Sequence, residues 1–230
     1  MTKGQNSRAK SKRKVAKPKR TGGQSSSTMR SQVPAAYGAQ VSYSGPVIRT
    51  LHTGGQVAHN SGSLVTVMSA GTAGTENPGT ASFNVRNSTN LPWLANMGQL
   101  YAKYRVLYAH FTWEPIVGTN VNGEICMALL YDQAELAVSS LPIARLMNTS
   151  NSIWSPVWKP SSQPMKLDAS QMALKWYLSG TTTGVAAGNM QTPFVVAYCA
   201  QSSSVNTALG RIMVRYGVEF IEPIDPAINQ

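Results

Sequence analysis

The apolar positions of this chain recur with two periods, and residues 91–135 carry both in unbroken succession. Trp93, Met97, Leu100 and Tyr104 are spaced four, three and four apart, which puts them on one face of a helix of about three turns. Pro92 suits the first turn of that helix, where its missing N–H leaves no bond unmade. From Arg105 the period falls to two. Val106, Tyr108, His110, Thr112 and Glu114 alternate with Leu107, Ala109, Phe111 and Trp113, and a strand is predicted. Turn-rich residues 118–123 lead into a second strand, 124–131, which ends on Asp132 with Glu135 three residues later.

Similar runs between turn signals predict strands at 47–51, 62–68, 153–158, 174–178, 193–200 and 210–222. The last has the cleanest alternation: Ile212, Val214, Tyr216, Val218 and Phe220 face one way, and Arg211, Met213, Arg215, Gly217 and Glu219 the other. Residues 70–79, rich in Gly, Asn and Pro, read as a loop. Residues 141–147 read as a second short helix, with Ser139 or Ser140 as cap and Pro142 in its first turn. About eight strands with two short helices predict an all-β fold, an eight-stranded antiparallel jelly-roll sandwich with a disordered basic N-terminal arm.

Charge changes the picture at one end only. Of 20 Lys and Arg, eleven lie in residues 1–50, which contain no Asp or Glu; residues 51–230 hold nine of each sign, so the net +11 belongs wholly to the first fifty residues. Residues 1–31 have Met1, Val15 and Met29 as their only large apolar side chains, too few to offset the entropy of ordering, so disorder is expected there. Lys3, Arg8, Lys10, Lys12, Arg13, Lys14, Lys17, Lys19, Arg20 and Arg30 supply charge without a groove-reading scaffold. They fit binding to nucleic-acid phosphates with little sequence preference, or a nuclear-localisation tail. Residues 21–31 form a Gly/Ser-rich hinge. The predicted division is an arm at 1–45, with 32–45 uncharged and partly apolar, and a folded domain at 46–230.

No window reaches the roughly 18 apolar residues that a membrane span needs, and the N-terminus lacks the apolar core of a signal peptide, so cytosolic synthesis is expected. Cys126 and Cys199 sit in apolar runs without metal-ligand spacing and read as buried free thiols. His52, His59 and His110 lie apart with no acid at motif spacing, and no GxSxG, HExxH, phosphate loop or GxGxxG occurs, so enzyme chemistry is not expected. Trp93, Trp113, Trp154, Trp158 and Trp176 fall on predicted core elements and are expected to be buried in the core or at a subunit interface. The pair Asp132 and Glu135 by itself fits a solvated acidic turn at least as well as the start of a hard-cation site.

In order, PWL at 92–94, AKYR at 102–105, an aromatic strand, GEICMA at 123–128 and Tyr131-Asp132 resemble the shell domain of small icosahedral plant RNA virus coat proteins. The set is most similar to sobemovirus coats, with tombusvirus shells as more distant relatives, from about Tyr43 to the C-terminus. The resemblance implies a capsid subunit that self-assembles into a T=3 icosahedral shell of about 180 copies and packages single-stranded RNA through the arm. Its location would be the virion, with synthesis in the host cytoplasm and nuclear entry through the arm.

The resemblance also implies that 32–45 joins neighbouring subunits as a β-annulus with Pro34 and Gly38 setting its bends; the rival reading is plain linker. It implies interfacial Ca²⁺ bound by Asp132 and Glu135, the latter in place of the family's Asp, with Asn229 and the terminal carboxylate of Gln230 from the neighbour and a backbone carbonyl for which Tyr177 is the candidate. Such a shell is expected to loosen on chelation at neutral or mildly alkaline pH and to stay compact in acid. The alternative is a cellular nucleic-acid-binding β-domain with a basic tail. That reading would need a basic or aromatic face, which a formally neutral domain is not expected to offer.

Overall fold

The large sheet is built around one long strand near the C-terminus, and the rest of the fold is arranged by pairing with it. The structure, a computed structural model, describes residues 47–50, 55–132, 135, 141–180 and 185–224. The ten arm cations, Pro34, Gly38, His52, Ser139, Ser140, Asn229 and Gln230 lie outside the described residues. The chain divides into two units, Met1–Tyr43 and Ser44–Gln230, and every described residue belongs to the second.

Along the chain the elements are β1 (Val47–Thr50), β2 (Gln56–Met68), β3 (Glu76–Ser82), α1 (Pro92–Gly98), β4 (Tyr101–Pro115), β5 (Gly123–Leu130), α2 (Ile143–Met147), β6 (Ser152–Pro156), β7 (Met165–Lys166), β8 (Tyr177–Leu178), α3 (Val185–Gln191), β9 (Val195–Ser202) and β10 (Ala208–Pro223). One sheet runs β1-β2-β10-β4-β7, with β8 also on β4; the other runs β3-β9-β5-β6. Every pairing is antiparallel. Among the described residues eight strands have four residues or more, and β7 and β8 have two each, so the all-β two-sheet sandwich expected from the sequence is present.

The inner faces of the two sheets enclose the main core, in which Trp113, Tyr104, Tyr216, Phe83, Phe111, Phe194 and Phe220 are fully buried. A smaller core lies on the far side of β5 and β9, where Cys126, Ala128, Leu130, Ala197 and Cys199 meet Leu141, Ile143 and Leu146 at α2. Strand β5 is therefore covered on both faces, which is why ICMALL is a continuous apolar run rather than an alternating one.

Several expectations need correction. The helix from Pro92 ends at Gly98, two turns rather than three, leaving Leu100 40% exposed and Tyr104 buried within β4. Residues 101–104 gain ladder partners on β10 and β8, which another helical turn would forfeit. In β4 the register against β10 slips between Gly217 and Val218, which pair with Tyr108 and Val106. Leu107 is thus a bulge residue, and Val106 shares the buried face of Ala109, Phe111 and Trp113 instead of opposing it.

Residues 76–79 belong to edge strand β3, where Pro78 needs no ladder N–H, and so the predicted loop ends earlier. A third helix, α3, occupies residues that carried no recognised helical period, and Pro142 stands at the N-cap of α2 rather than in its first turn. Smaller shifts follow the same cause, pairing with neighbours: β2 begins at Gln56, and β8 has only two residues of the expected 174–178.

Candidate functional site

The end of β5 carries the acidic pair into solvent. Burial stops after Leu130, Tyr131 is half-buried, and Asp132 and Glu135 are exposed. The Glu135 N–H donates to the Asp132 carbonyl at 3.2 Å, so the two acids occupy one turn. The Asn189 side-chain amide, from α3, donates to Asp132 Oδ1 at 2.9 Å. Both acids line one open cleft of about 400 Å³ with Asn189, Gln171, Thr149 and Ser150.

Position in the fold explains the partners. Asp168 accepts from the backbone and hydroxyl of Ser170 and so caps the short 3₁₀ turn Ala169–Gln171, which sets Gln171 at the cleft. Those bonds to Ser170 hold the Asp168 carboxyl below its ordinary range. The Tyr131 hydroxyl accepts from the Asp168 N–H at 3.0 Å and ties this turn to the end of β5.

The donor chemistry fits a hard divalent cation: carboxylates, amides and hydroxyls, with no thiol or imidazole among the residues just named. Among the described residues no group of three His, Cys, Asp or Glu side chains suited to a metal occurs. Six to eight oxygens would require donors from elsewhere. Tyr177, the candidate carbonyl donor, is buried on β8 opposite Tyr104 and is not among the residues lining this cleft; the same segment sends Gln171 and Ala173 there. Asn229 and Gln230 lie outside the described residues. Asn189 and Gln171 were not anticipated, since neither shares a sequence motif with Asp132.

The remaining candidates divide. Both cysteines are free and buried, with Cys126 directly opposite Cys199 across β5 and β9. Trp113 is buried and donates its indole N–H to the Val157 carbonyl at 3.1 Å. Trp93 packs on the core, and Trp176 lies under the Arg105 guanidinium at 5.0 Å. Trp154, on edge strand β6, and Trp158, in the turn after it, are 51% and 38% exposed and lie outside the core, which leaves a subunit interface as the place where they would be buried. Among the described residues no helix is long and apolar enough to cross a membrane.

Comparison with known proteins gives consistent results. The capsid protein of Tobacco necrosis virus (strain A) is 28% identical over 172 residues, 64% of this chain and 62% of that protein. The capsid protein of Oat chlorotic stunt virus is 28% identical over 181 residues, 70% of this chain and 38% of that protein. The chain thus spans less than two thirds of the length of these curated relatives.

Among solved structures, Tobacco necrosis virus superposes with a TM-score of 0.69 at 19% identity, covering 83% of this chain and 92% of that one. Cocksfoot mottle virus gives 0.57 at 15% identity, covering 74% and 96%. These likenesses establish a common fold, and the resemblance carried by PWL, AKYR and GEICMA holds at the level of the viral coat shell domain. A family model described as viral coat protein (S domain) matches residues 29–226, and the chain belongs to that family.

Proposed function

We propose that this chain is a capsid subunit that assembles with copies of itself into an icosahedral, T=3 shell and packages single-stranded RNA through its basic arm. The observation that carries this reading is the shell-domain match over residues 29–226, in a chain whose residues 51–230 are formally neutral and whose net charge lies in the first fifty. Family membership sets aside the cellular nucleic-acid-binding alternative and points to a structural rather than enzymatic role. Ten Lys or Arg per arm in about 180 copies supply roughly 1,800 positive charges, enough for about that many phosphates at one contact each. Packaging is then a bulk charge effect inside the virion. Synthesis in the host cytoplasm accompanies this reading, and the same tract has the composition for nuclear entry.

Calcium belongs to the proposal. Asp132 and Glu135 would hold the ion from one subunit, with Asn229 and the terminal carboxylate of Gln230 completing the oxygen set across the interface; Tyr177 stays a proposed carbonyl donor only if β8 moves toward the cleft. Bound there, Ca²⁺ would neutralise carboxylates that otherwise repel at a protein boundary. Pro34 and Gly38 would bend the β-annulus segment.

Electron microscopy of the purified chain tests the central reading: uniform spherical shells containing RNA are expected, and a monomer or dimer under assembly conditions would overturn it. Light scattering under chelation at neutral pH tests the ion. Swelling is expected, and an unchanged radius would remove calcium while leaving the shell intact.

A further inference from the structure

We propose that the outward face of the β1-β2-β10-β4-β7 sheet is a second RNA contact, a platform on which Arg215 and Lys166 hold phosphodiesters beside the ring row His59, Tyr108 and His110. The proposal rests on the reading that the chain packages single-stranded RNA, but assigns part of the work to the folded domain.

Strand register places these residues on one face. Arg215 of β10 lies opposite His110 of β4, and His110 lies opposite Lys166 of β7. Their chain neighbours Val214, Phe111 and Met165 form the adjacent cross-strand row and are buried in the core, so the first row points outward. Two strand spacings set the Arg215 and Lys166 backbones about 10 Å apart. Both side chains are exposed.

The acids on this face are engaged elsewhere. Glu219 pairs with Arg105 at 2.5 Å, Glu222 pairs with Lys103 at 2.7 Å, Glu114 stands opposite Arg211 two rows away, and Asp168, two residues beyond Lys166, gives its carboxylate to Ser170 and Gln171. Among the described residues those two ion pairs are the only ones, so neither Arg215 nor Lys166 has a carboxylate partner there. A domain with no net charge therefore still carries a local cationic band, which overall arithmetic conceals.

The rings are placed by a gap in the middle strand. His59 of β2 and Tyr108 of β4 meet across β10 at Gly217, with ring centroids 5.7 Å apart, planes 17° apart and His59 Nδ1 3.1 Å from the Tyr108 hydroxyl. A Cβ at Gly217 would stand 2.5 Å from Tyr108 Cε1 and 2.8 Å from His59 Nδ1, so only glycine admits the pair. Tyr108 in turn lies 5.4 Å from the His110 ring. Burial, then Lys166 and Arg215, hold His110 below its ordinary range, so at neutral pH it adds a ring rather than a charge.

Cations with half-buried aromatic rings on an open sheet suit single-stranded nucleic acid, whose phosphates need charge and whose bases need a stacking surface. Charge excludes the other occupants. The arm's own basic tract would be repelled, and a second copy of this face would set like charges together.

The test is binding of a short fluorescent oligouridylate to the full chain at neutral pH across a salt series, with ultraviolet crosslinking. Arg215→Gln with Lys166→Gln is expected to weaken binding and lower the salt slope by about 1.4, two contacts at 0.7 each on a single strand. Tyr108→Leu is expected to weaken binding about tenfold and to remove a crosslinked peptide that contains Tyr108. Arg145→Gln with Lys159→Gln removes equal charge on the side of the other sheet, at α2 and just after β6, and serves as the reference. If the Arg215/Lys166 variant matches that reference, or crosslinks fall solely in residues 1–31, the platform is overturned. Neutralising Lys10, Lys12, Arg13 and Lys14 separates the two readings: loss of binding here alone leaves the arm reading standing without the platform, and loss in the Arg215/Lys166 variant alone does the reverse.

Discussion

At the scale of the residue, burial and close approach decide what each side chain contributes. Trp113 fills the core against Gly210, where a Cβ would come within 2.5 Å of the indole. Trp113→Ala is expected to destabilise the domain by about 3–5 kcal/mol, measured by denaturant unfolding. The cysteines make a pH prediction. Burial, with Glu124 next, pushes the Cys126 thiol up to about 11, and burial, with Glu76 next, pushes Cys199 up to about 12, both from an ordinary 9.0.

An acid that is neutral when protonated and has a raised folded value contributes stability in full below its unfolded value. That stability fades as pH climbs from 9 toward 11 and 12, because the unfolded chain releases its protons first. The urea midpoint should fall over that interval, and Cys126→Ala with Cys199→Ala should flatten the fall; equal slopes would refute the assignment. That both thiols were buried was legible in their apolar surroundings. Their direct opposition across β5 and β9 was not, because it is a matter of register.

At the scale of the element, periodicity located the strands and register decided their faces. The alternation in 105–114 marked β4 correctly, but the bulge at Leu107 inverts the facing of everything before it. A bulge is invisible to a period-two count, since one extra residue reads as continued alternation. This makes a sharp prediction. Deleting Leu107 restores an unbroken ladder with Tyr104 and Val106 still facing inward, whereas deleting Thr112 slips half of β4 by one residue and turns its buried side chains outward. The Leu107 deletion should yield soluble protein with a cooperative melt, and the Thr112 deletion should not fold. The helix at Pro92 fails in the complementary way. Its apolar stripe was real as far as Met97, but Tyr104 owes its burial to β8 and β10, partners remote in sequence.

At the scale of the whole molecule, the sequence sets a formally neutral domain behind a cationic leader; in the proposed reading the first joins neighbours and the second meets the polyanion. In the same proposed reading, the acidic cleft at the end of β5 is a lever on that assembly. Asp132→Asn with Glu135→Gln should give particles whose scattering radius no longer responds to a chelator at neutral pH, where the unaltered protein is expected to swell; equal swelling would place the ion elsewhere.

The sequence by itself determined the all-β class, the segregation of charge, the family resemblance and the nearness of Asp132 to Glu135, because each depends on composition or on residues close along the chain. Only the tertiary structure decided that Asn189 and Gln171 join that pair. It alone decided that β5 is covered on both faces, and that His59, Tyr108 and His110 line up beside Arg215 and Lys166. These are contacts between strands and helices distant in sequence, fixed by sheet order and strand register, and no local pattern encodes them.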